Sequence, residues 1–272
     1  MRGIGSITIG QYYPVKSYVH GMDARAKLFI MVVFITSIFF LRSFFSYGFT
    51  LLCIAAVLRV SKVPARFVLR GLRPIIFIIL FTAILNIFFT QGGVVLVHVG
   101  FIRITSLGLA NALRMALRFT LLIIGSSLLT LTTTPIQLTA AIESALGPLK
   151  RIGVPAHEIA MMMTIALRFI PTLIEEMDKI MKAQMARGAD FDTGGIIKKA
   201  KSMVPLLVPL FISSFRRADE LALAMEARCY RGDIGRTKMN TPRMTRVDFI
   251  ALLAVGLYIA AIALIEIATR MA

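Results

Sequence analysis

Five runs along the chain are apolar for nearly as long as a bilayer core demands, roughly 20 residues in helical form. The first is Ala26–Leu41 (AKLFIMVVFITSIFFL), and Phe44–Leu58 (FFSYGFTLLCIAAVL) follows after a minimal turn at Arg42-Ser43. Pro74–Phe89 (PIIFIILFTAILNIFF) is the third, Leu107–Leu131 the fourth, and Phe249–Ile267 the fifth. The second and third are short, which leaves their ends and tilts open. Between the third and fourth the period changes. Val94–Thr105 (VVLVHVGFIRIT) alternates, is rich in β-branched residues and follows Gly92-Gly93, so it predicts a short hairpin or extended connector.

Beyond Thr133 the pattern becomes amphipathic. Thr134-Pro135 is a helix start, with Thr as cap and Pro at the first position, and Gly147-Pro148 ends that helix. A second helix runs from Pro155 to about Arg187 through Pro171, with apolar positions including Ile159, Met162, Ala166, Ile170, Leu173, Met177 and Ile180. Gly188 and Gly194-Gly195 interrupt it. A third helix extends from Ile196 to about Arg228, with Pro205 and Pro209 in its apolar middle. Each long helix thus has an apolar first part, expected to bend at its prolines, and a polar second part. The apolar run Met203–Phe215 is too short to span, which places these helices along the membrane surface or partly under it.

Composition agrees with that division. The hydrophobic fraction is 57% against ~45–50% for soluble domains, yet 17% of residues are charged. The expected architecture is an all-α integral membrane protein. It has about five transmembrane helices plus cytoplasmic or interfacial amphipathic coupling helices. Residues 1–132 form the N-terminal segment and four spans, 133–246 the coupling-helix region, and 247–272 the last span and tail. The net charge of +17 then sets direction. Arg59, Lys62, Arg66, Arg70 and Arg73 crowd the second connection without an acid, and Arg2, Lys16, Arg25 and Lys27 precede or open the first span. The connections on the opposite side hold only Arg42 and Arg103. The positive-inside rule therefore predicts a multi-pass protein of a bacterial-type plasma membrane with its N-terminus in the cytoplasm.

Several function classes fall away. The basic charge has no aromatic-interleaved groove or nucleic-acid motif beside it, so no nucleic-acid partner is expected. There is no phosphate-binding P-loop, and His20, His98 and His157 lack metal-ligand spacing, so neither catalysis nor a metal is expected. Cys53 and Cys229 lie in dissimilar surroundings and predict no disulfide. The N-terminus lacks a signal-peptide pattern. Membrane carboxylates are scarce, with Glu266 at a helix end and Glu143 in the polar part. That scarcity argues against a self-sufficient ion-coupled transporter. Arg114 and Arg118 share one face of the fourth run. The expectation is that they snorkel to headgroups or that the helix begins as an interfacial segment, with a buried functional role as the alternative.

The residues that stand out are a repeat. DKIMKAQMARG (Asp178–Gly188) and DELALAMEARC (Asp219–Cys229) both end in Ala-x-x-Ala-Arg. A single Arg there would simply complement the negative end of a helix. Two such ends, each with small Ala residues beside the guanidinium, suit insertion into two grooves of a two-fold or pseudo-two-fold partner. The candidate docking residues are therefore Ala186, Arg187, Gly188, Ala227, Arg228 and Cys229. Methionines cluster in the same region, among them Met161, Met162, Met163, Met181 and Met225, as gap fillers or as an adaptable contact surface.

These motifs resemble a family, the transmembrane scaffold of energy-coupling factor transporters, EcfT, and the likeness covers nearly the whole chain. In the entry segment Gly10–Leu28, residues Ser17, His20, Asp23, Arg25 and Lys27 match, while Tyr18 and Ala24 replace prolines. Leu146–Pro171 is similar too, and Ala186-Arg187-Gly188 and Ala227-Arg228 match the paired signatures, with Cys229 departing from Gly. The resemblance implies a non-catalytic subunit of an ABC-type importer for vitamins or metal ions. Two cytoplasmic ABC-type ATPase subunits would bind ATP and Mg, leaving no cofactor in this chain. Each would seat one Arg-bearing helix end, and a separate substrate-binding membrane S component would ride on the coupling helices within the lipid bilayer. The competing expectation is a conventional ABC permease subunit that lines the substrate path itself; two long tandem helices disfavour it.

Overall fold

Away from water, backbone N–H and C=O groups must be paired within the chain, and helices do so without a neighbour. The computed structural model describes residues 12–90, 92, 94–99, 102–191, 195–232 and 244–271. Gly93, Gly194 and the chain up to Gln11 lie outside the described residues. In order, the helices are α1 (Tyr18–Gly21), α2 (Ala24–Phe40), α3 (Phe44–Ser61), α4 (Ala65–Leu72) and α5 (Ile76–Phe89). A hairpin of β1 (Val95–Val99) and β2 (Ile102–Thr105) follows, antiparallel, where the alternating run predicted it. Then come α6 (Ser106–Thr132), α7 (Pro135–Leu146), a 3-10 turn (Gly147–Ile152), α8 (Ala156–Ala186), α9 (Ile196–Ala227) and α10 (Arg246–Met271). The described residues divide into two compact units, 12–141 with 244–271, and 142–232.

In the first unit α6 is the hub, packing against α2, α3, α4 and α5. Its Leu121, Ile124 and Leu131 join Ile38, Tyr47 and Ile262 in the buried core. Length and composition qualify α3, α6 and α10 as membrane spans, and α4 with α5 as one span broken by a 56° bend. The 17 residues of α2 meet the lower end of the spanning range. All five expected apolar runs are thus helices. The separate basic helix α4 was not foreseen, because the positions around Arg59–Arg73 read only as a charged connection. Tyr258 of α10 bridges α2 and α3, its hydroxyl lying 3.3 Å from Ser37 Oγ and 3.2 Å from Thr50 Oγ1. Such interhelical hydrogen bonds hold apolar helices that gain little from burial against lipid.

The polar residues of the entry segment form a junction of three helix ends. Asp23 caps α2, accepting from Arg25 N–H at 2.9 Å. The Asp23 N–H itself donates to Asp248 Oδ1 at 2.8 Å. Asp248 is 0% exposed, and its other oxygen accepts from Thr245 N–H at 2.6 Å and Thr245 Oγ1 at 2.9 Å, capping α10. Lys27 Nζ donates to Thr132 O at 2.9 Å, closing the carbonyl end of α6, and to His20 O at 3.3 Å. Each charge sits where the helix dipole favours it, acids at N-termini and a cation at a C-terminus. His20 Nε2 donates to Tyr13 O at 3.0 Å, while the Ser17 hydroxyl lies 2.7 Å from Nδ1.

The opposite end of this unit has a matching device. Glu266, inside α10, accepts from Arg42 N–H at 2.9 Å, Ser43 N–H at 3.0 Å and Ser46 Oγ at 2.8 Å, all at the α2–α3 turn. Arg118 donates to Leu41 O at 3.3 Å, and its guanidinium lies 5.9 Å from the Phe39 ring centre. Arg114 donates to Ala110 O at 3.3 Å and sits 5.8 Å from the Phe44 ring centre. The two α6 arginines are therefore packed on the α2–α3 turn.

In the second unit α8 and α9 pack together, both continuous through their prolines. Length and composition alone would also allow α8 to cross a membrane. Its charged residues are concentrated in the second half, with Glu175, Glu176, Asp178, Lys179 and Lys182 there against Glu158 and Arg168 in the first. Just before this unit, α7 opens with a reciprocal capping box: Gln137 N–H donates to Thr134 Oγ1 at 3.3 Å, and Thr134 N–H to Gln137 Oε1 at 3.1 Å.

Two measurements check the junction. Asp248→Ala strands the Asp23 and Thr245 donors in a buried site and is expected to cost about 3 kcal/mol, read as a lower melting temperature in detergent. Burial pushes the His20 imidazole below its ordinary pKa, outweighing the raising effect of the Tyr13 carbonyl. The neutral ring is therefore favoured by folding. Its contribution is complete above the unfolded-state pKa of about 6.5 and lost as pH falls through the lower folded value. His20→Gln should flatten the fall in melting temperature between pH 7 and pH 5; an unchanged slope contradicts this role.

Candidate functional site: the paired helix ends

The repeat seen in the sequence is also a repeat of backbone geometry. Arg187 is the last near-helical residue of α8 (φ −87, ψ 7), and Arg228 holds the same place on α9 (φ −92, ψ 12). After each, the chain enters the left-handed region, at Gly188 with φ 87 and at Cys229 with φ 55. Gly188 N–H donates to Met185 O at 2.9 Å and Ala189 N–H to Gln184 O at 3.0 Å. At the other end Cys229 N–H donates to Glu226 O at 2.8 Å and Tyr230 N–H to Met225 O at 3.0 Å. Both ends are Schellman caps, bond for bond. Although Cys229 departs from the Gly at position 188, the two backbones turn alike. Cys229 adopts at a cost of about 1–2 kcal/mol a conformation that Gly takes freely.

All six candidate residues, Ala186, Arg187, Gly188, Ala227, Arg228 and Cys229, are exposed. Ala183 and Ala224, four positions before each Arg, are exposed as well. Among the described residues neither guanidinium makes a hydrogen bond or ion pair, so all five donors of each are available. Each helix end therefore presents a cation on a narrow, alanine-lined tip.

The packing of α8 on α9 extends the equivalence. Glu176 accepts from Arg217 Nη2 at 2.9 Å and also from the Ser213 hydroxyl. Glu176 and Arg217 are 41 positions apart, as are Arg187 and Arg228. The two helices thus touch at equivalent positions of the repeat. From that contact each Arg lies 11 residues further on, about 16 Å at 1.5 Å per residue. Sequence reasoning missed this pair, although the shared 41-residue offset was a signal for it.

A second missed group ties down the α9 cap. The Tyr230 hydroxyl lies 3.4 Å from His157 Nε2, and His157 Nδ1 lies 3.2 Å from Glu143 Oε1. These residues bring the chain just beyond Arg228 together with the start of α8 and the end of α7. His157 and Glu143 are distant in sequence and carry no motif, so only folding reveals them.

The family model described as cobalt transport protein, CbiQ, matches residues 15–240. The energy-coupling factor transporter transmembrane protein EcfT of Thermosediminibacter oceani is 55% identical over 251 residues, covering 92% of this chain and 94% of that protein. EcfT of Ruminiclostridium cellulolyticum is 56% identical over 247 residues, 91% of this chain and 92% of its own length. EcfT of Bacillus subtilis is 49% identical over 233 residues, 86% and 88% of the two chains.

The chain belongs to the EcfT family.

An EcfT chain is the transmembrane component of an energy-coupling factor transporter, and other subunits of that transporter are implied. With its several apolar helices this EcfT chain is a multi-pass membrane protein. The entry-segment residues that carried the resemblance, Ser17, His20, Asp23, Arg25 and Lys27, are the ones that build the three-helix junction or flank it.

The cap geometry yields a direct test. Cys229→Gly should raise stability by about 0.5–1 kcal/mol, relief of the left-handed strain exceeding the entropy that Gly adds to the unfolded chain. Gly188→Ala should lower it by a similar amount. Thermal unfolding of the two variants in parallel checks both signs.

Proposed function

We propose that this EcfT chain transmits ATP-driven motion from two cytoplasmic ABC-type ATPases to a separate substrate-binding membrane S component, for uptake of a vitamin or metal ion. One observation carries the reading: two exposed, identically capped helix ends, each tipped by an arginine with no partner among the described residues, on two helices that touch at equivalent positions of the repeat. Two ATPases that close on each other present two equivalent grooves, and a pseudo-symmetric pair of plugs fits such a partner. Arg187 and Arg228 provide directed hydrogen bonds to carboxylates or carbonyls in each groove. The small Ala186 and Ala227 admit the helix end, and the caps at Gly188 and Cys229 turn the chain away from the groove.

In this reading residues 133–246 form the coupling region on the cytoplasmic side, between the spans within 1–132 and the last span in 247–272. The excess of Lys and Arg around Arg59–Arg73 supports a cytoplasmic N-terminus. The chain is a non-catalytic transmission element, and ATP and Mg belong to the ATPases. The S component chooses the substrate, so nothing in this chain needs to recognise it.

Replacing Arg187 or Arg228 by Ala should weaken ATPase association by about 2–5 kcal/mol, seen as loss of co-purifying ATPase at unchanged membrane insertion. The double Arg→Glu variant should abolish both association and transport. Normal pull-down and uptake by that double variant would sink the docking role.

A further inference from the structure

The basic connection between α3 and α5 goes beyond orientation. Arg59, Lys62, Arg66, Arg70 and Arg73 are all exposed, and among the described residues none has a hydrogen-bonded or ion-paired side-chain partner. Arg70 has only the Phe67 ring, 5.2 Å from its guanidinium to the ring centre. Counter-charge is not available nearby in the chain, for residues 24–142 contain no Asp or Glu. The three carboxylates of this compact unit are already engaged: Asp23 and Asp248 at the three-helix junction, and Glu266 on the α2–α3 turn. Within the described residues of this unit no carboxylate is left for these cations.

The shape of α4 says which kind. Arg66, Arg70 and Arg73 follow the i, i+4, i+7 spacing of one helix face. The back of the helix is held on the core. Val68 is 2% exposed, and a Cβ on Gly71 would come within 2.9 Å of Ser127 Oγ of α6. The arginine face is therefore turned outward by packing rather than by chance of side-chain conformation. On its flanks stand Leu69, 57% exposed, and Phe67, partly covered by the Tyr13 ring at 5.0 Å. The 56° bend between α4 and α5 turns α4 off the direction of the span it adjoins. A short helix at the end of a span, with apolar flanks and three outward arginines, matches the headgroup boundary of a bilayer, where apolar and anionic groups meet. An acidic protein surface would satisfy the charges but would leave the apolar flanks unexplained.

We propose that α4 and its flanking Arg59, Lys62 and Arg73 form a binding site for anionic phospholipid headgroups, with Arg66, Arg70 and Arg73 holding the phosphate. Phosphatidylglycerol is the probe. It is titrated, in parallel with phosphatidylcholine of the same chains, into the full chain with its co-purifying subunits in neutral detergent. Bound lipid is counted by native mass spectrometry. Phosphatidylglycerol should be retained preferentially. The Arg66→Gln/Arg70→Gln/Arg73→Gln variant should weaken that retention on the order of a hundredfold, about fivefold per cation, leaving phosphatidylcholine unchanged. The charge-matched Lys179→Gln/Lys182→Gln/Lys201→Gln variant should behave as wild type, and the triple Arg→Lys variant should keep most of the binding, which separates lost charge from lost folding. Equal retention of the two lipids, or undiminished phosphatidylglycerol binding in the Arg→Gln variant, would overturn the site. Displacement of the lipid by millimolar inorganic phosphate would mean that the arginines take free phosphate, and would overturn it equally. None of these outcomes depends on whether the ATPases engage Arg187 and Arg228.

Discussion

A buried carboxylate with three donors around it holds the first unit together. Asp248 accepts from the Asp23 backbone and from both donors of Thr245, joining the start of α2 to the start of α10 across 225 residues of sequence. Apolar helices in a bilayer gain little by burying against one another, because lipid is as apolar as a leucine side chain. Polar contacts between helix ends therefore carry an unusual share of the burden of order. Asp248 and Lys27 serve one end of the unit, and Glu266 and Arg118 serve the other. At both ends most partner groups are main-chain donors or carbonyls left open where helices start and stop, joined by the Thr245 and Ser46 hydroxyls.

The second unit solves a different problem. Two helices with the same ending become useful as a pair only if something relates them, and the Glu176–Arg217 contact does so. Its partners occupy equivalent places in a 41-residue offset that also relates Arg187 to Arg228. An ion pair between equivalent positions cannot be symmetric in chemistry, since one side must be acid and the other base. The relation is consequently pseudo-symmetric, as the exchange of Gly188 for Cys229 also is. Equal backbone caps show that the departure is confined to side chains.

Much of this was legible beforehand because hydrophobic period and terminal chemistry are local. The runs at Ala26–Leu41 and Leu107–Leu131, the alternating Val94–Thr105 and the Thr134-Pro135 start each appear as elements within a few residues of their expected limits. The candidate Arg187 and Arg228 were visible as well, because a duplicated Ala-x-x-Ala-Arg needs no fold to be noticed. Asp248 went unremarked: an acid at the start of an apolar run looks like an ordinary helix-start residue. Arg114 and Arg118 were read for the bilayer depth they would occupy. Their contacts with Leu41, Phe39 and Phe44 depend on how α6 meets the α2–α3 turn.

The sequence by itself determined which segments are helices, which are apolar enough for a membrane, and that two helices end alike, since each follows from neighbours within a few turns. Only the tertiary structure decided that Asp23, Lys27 and Asp248 meet, that Glu266 caps a distant turn, and that equivalent positions of α8 and α9 touch. It alone showed that the arginines of α4 face outward with Val68 and Gly71 behind them. These are matters of which face of one helix lies against which end of another. Many packings satisfy the same pattern of apolar positions, and long-range polar contacts select one of them.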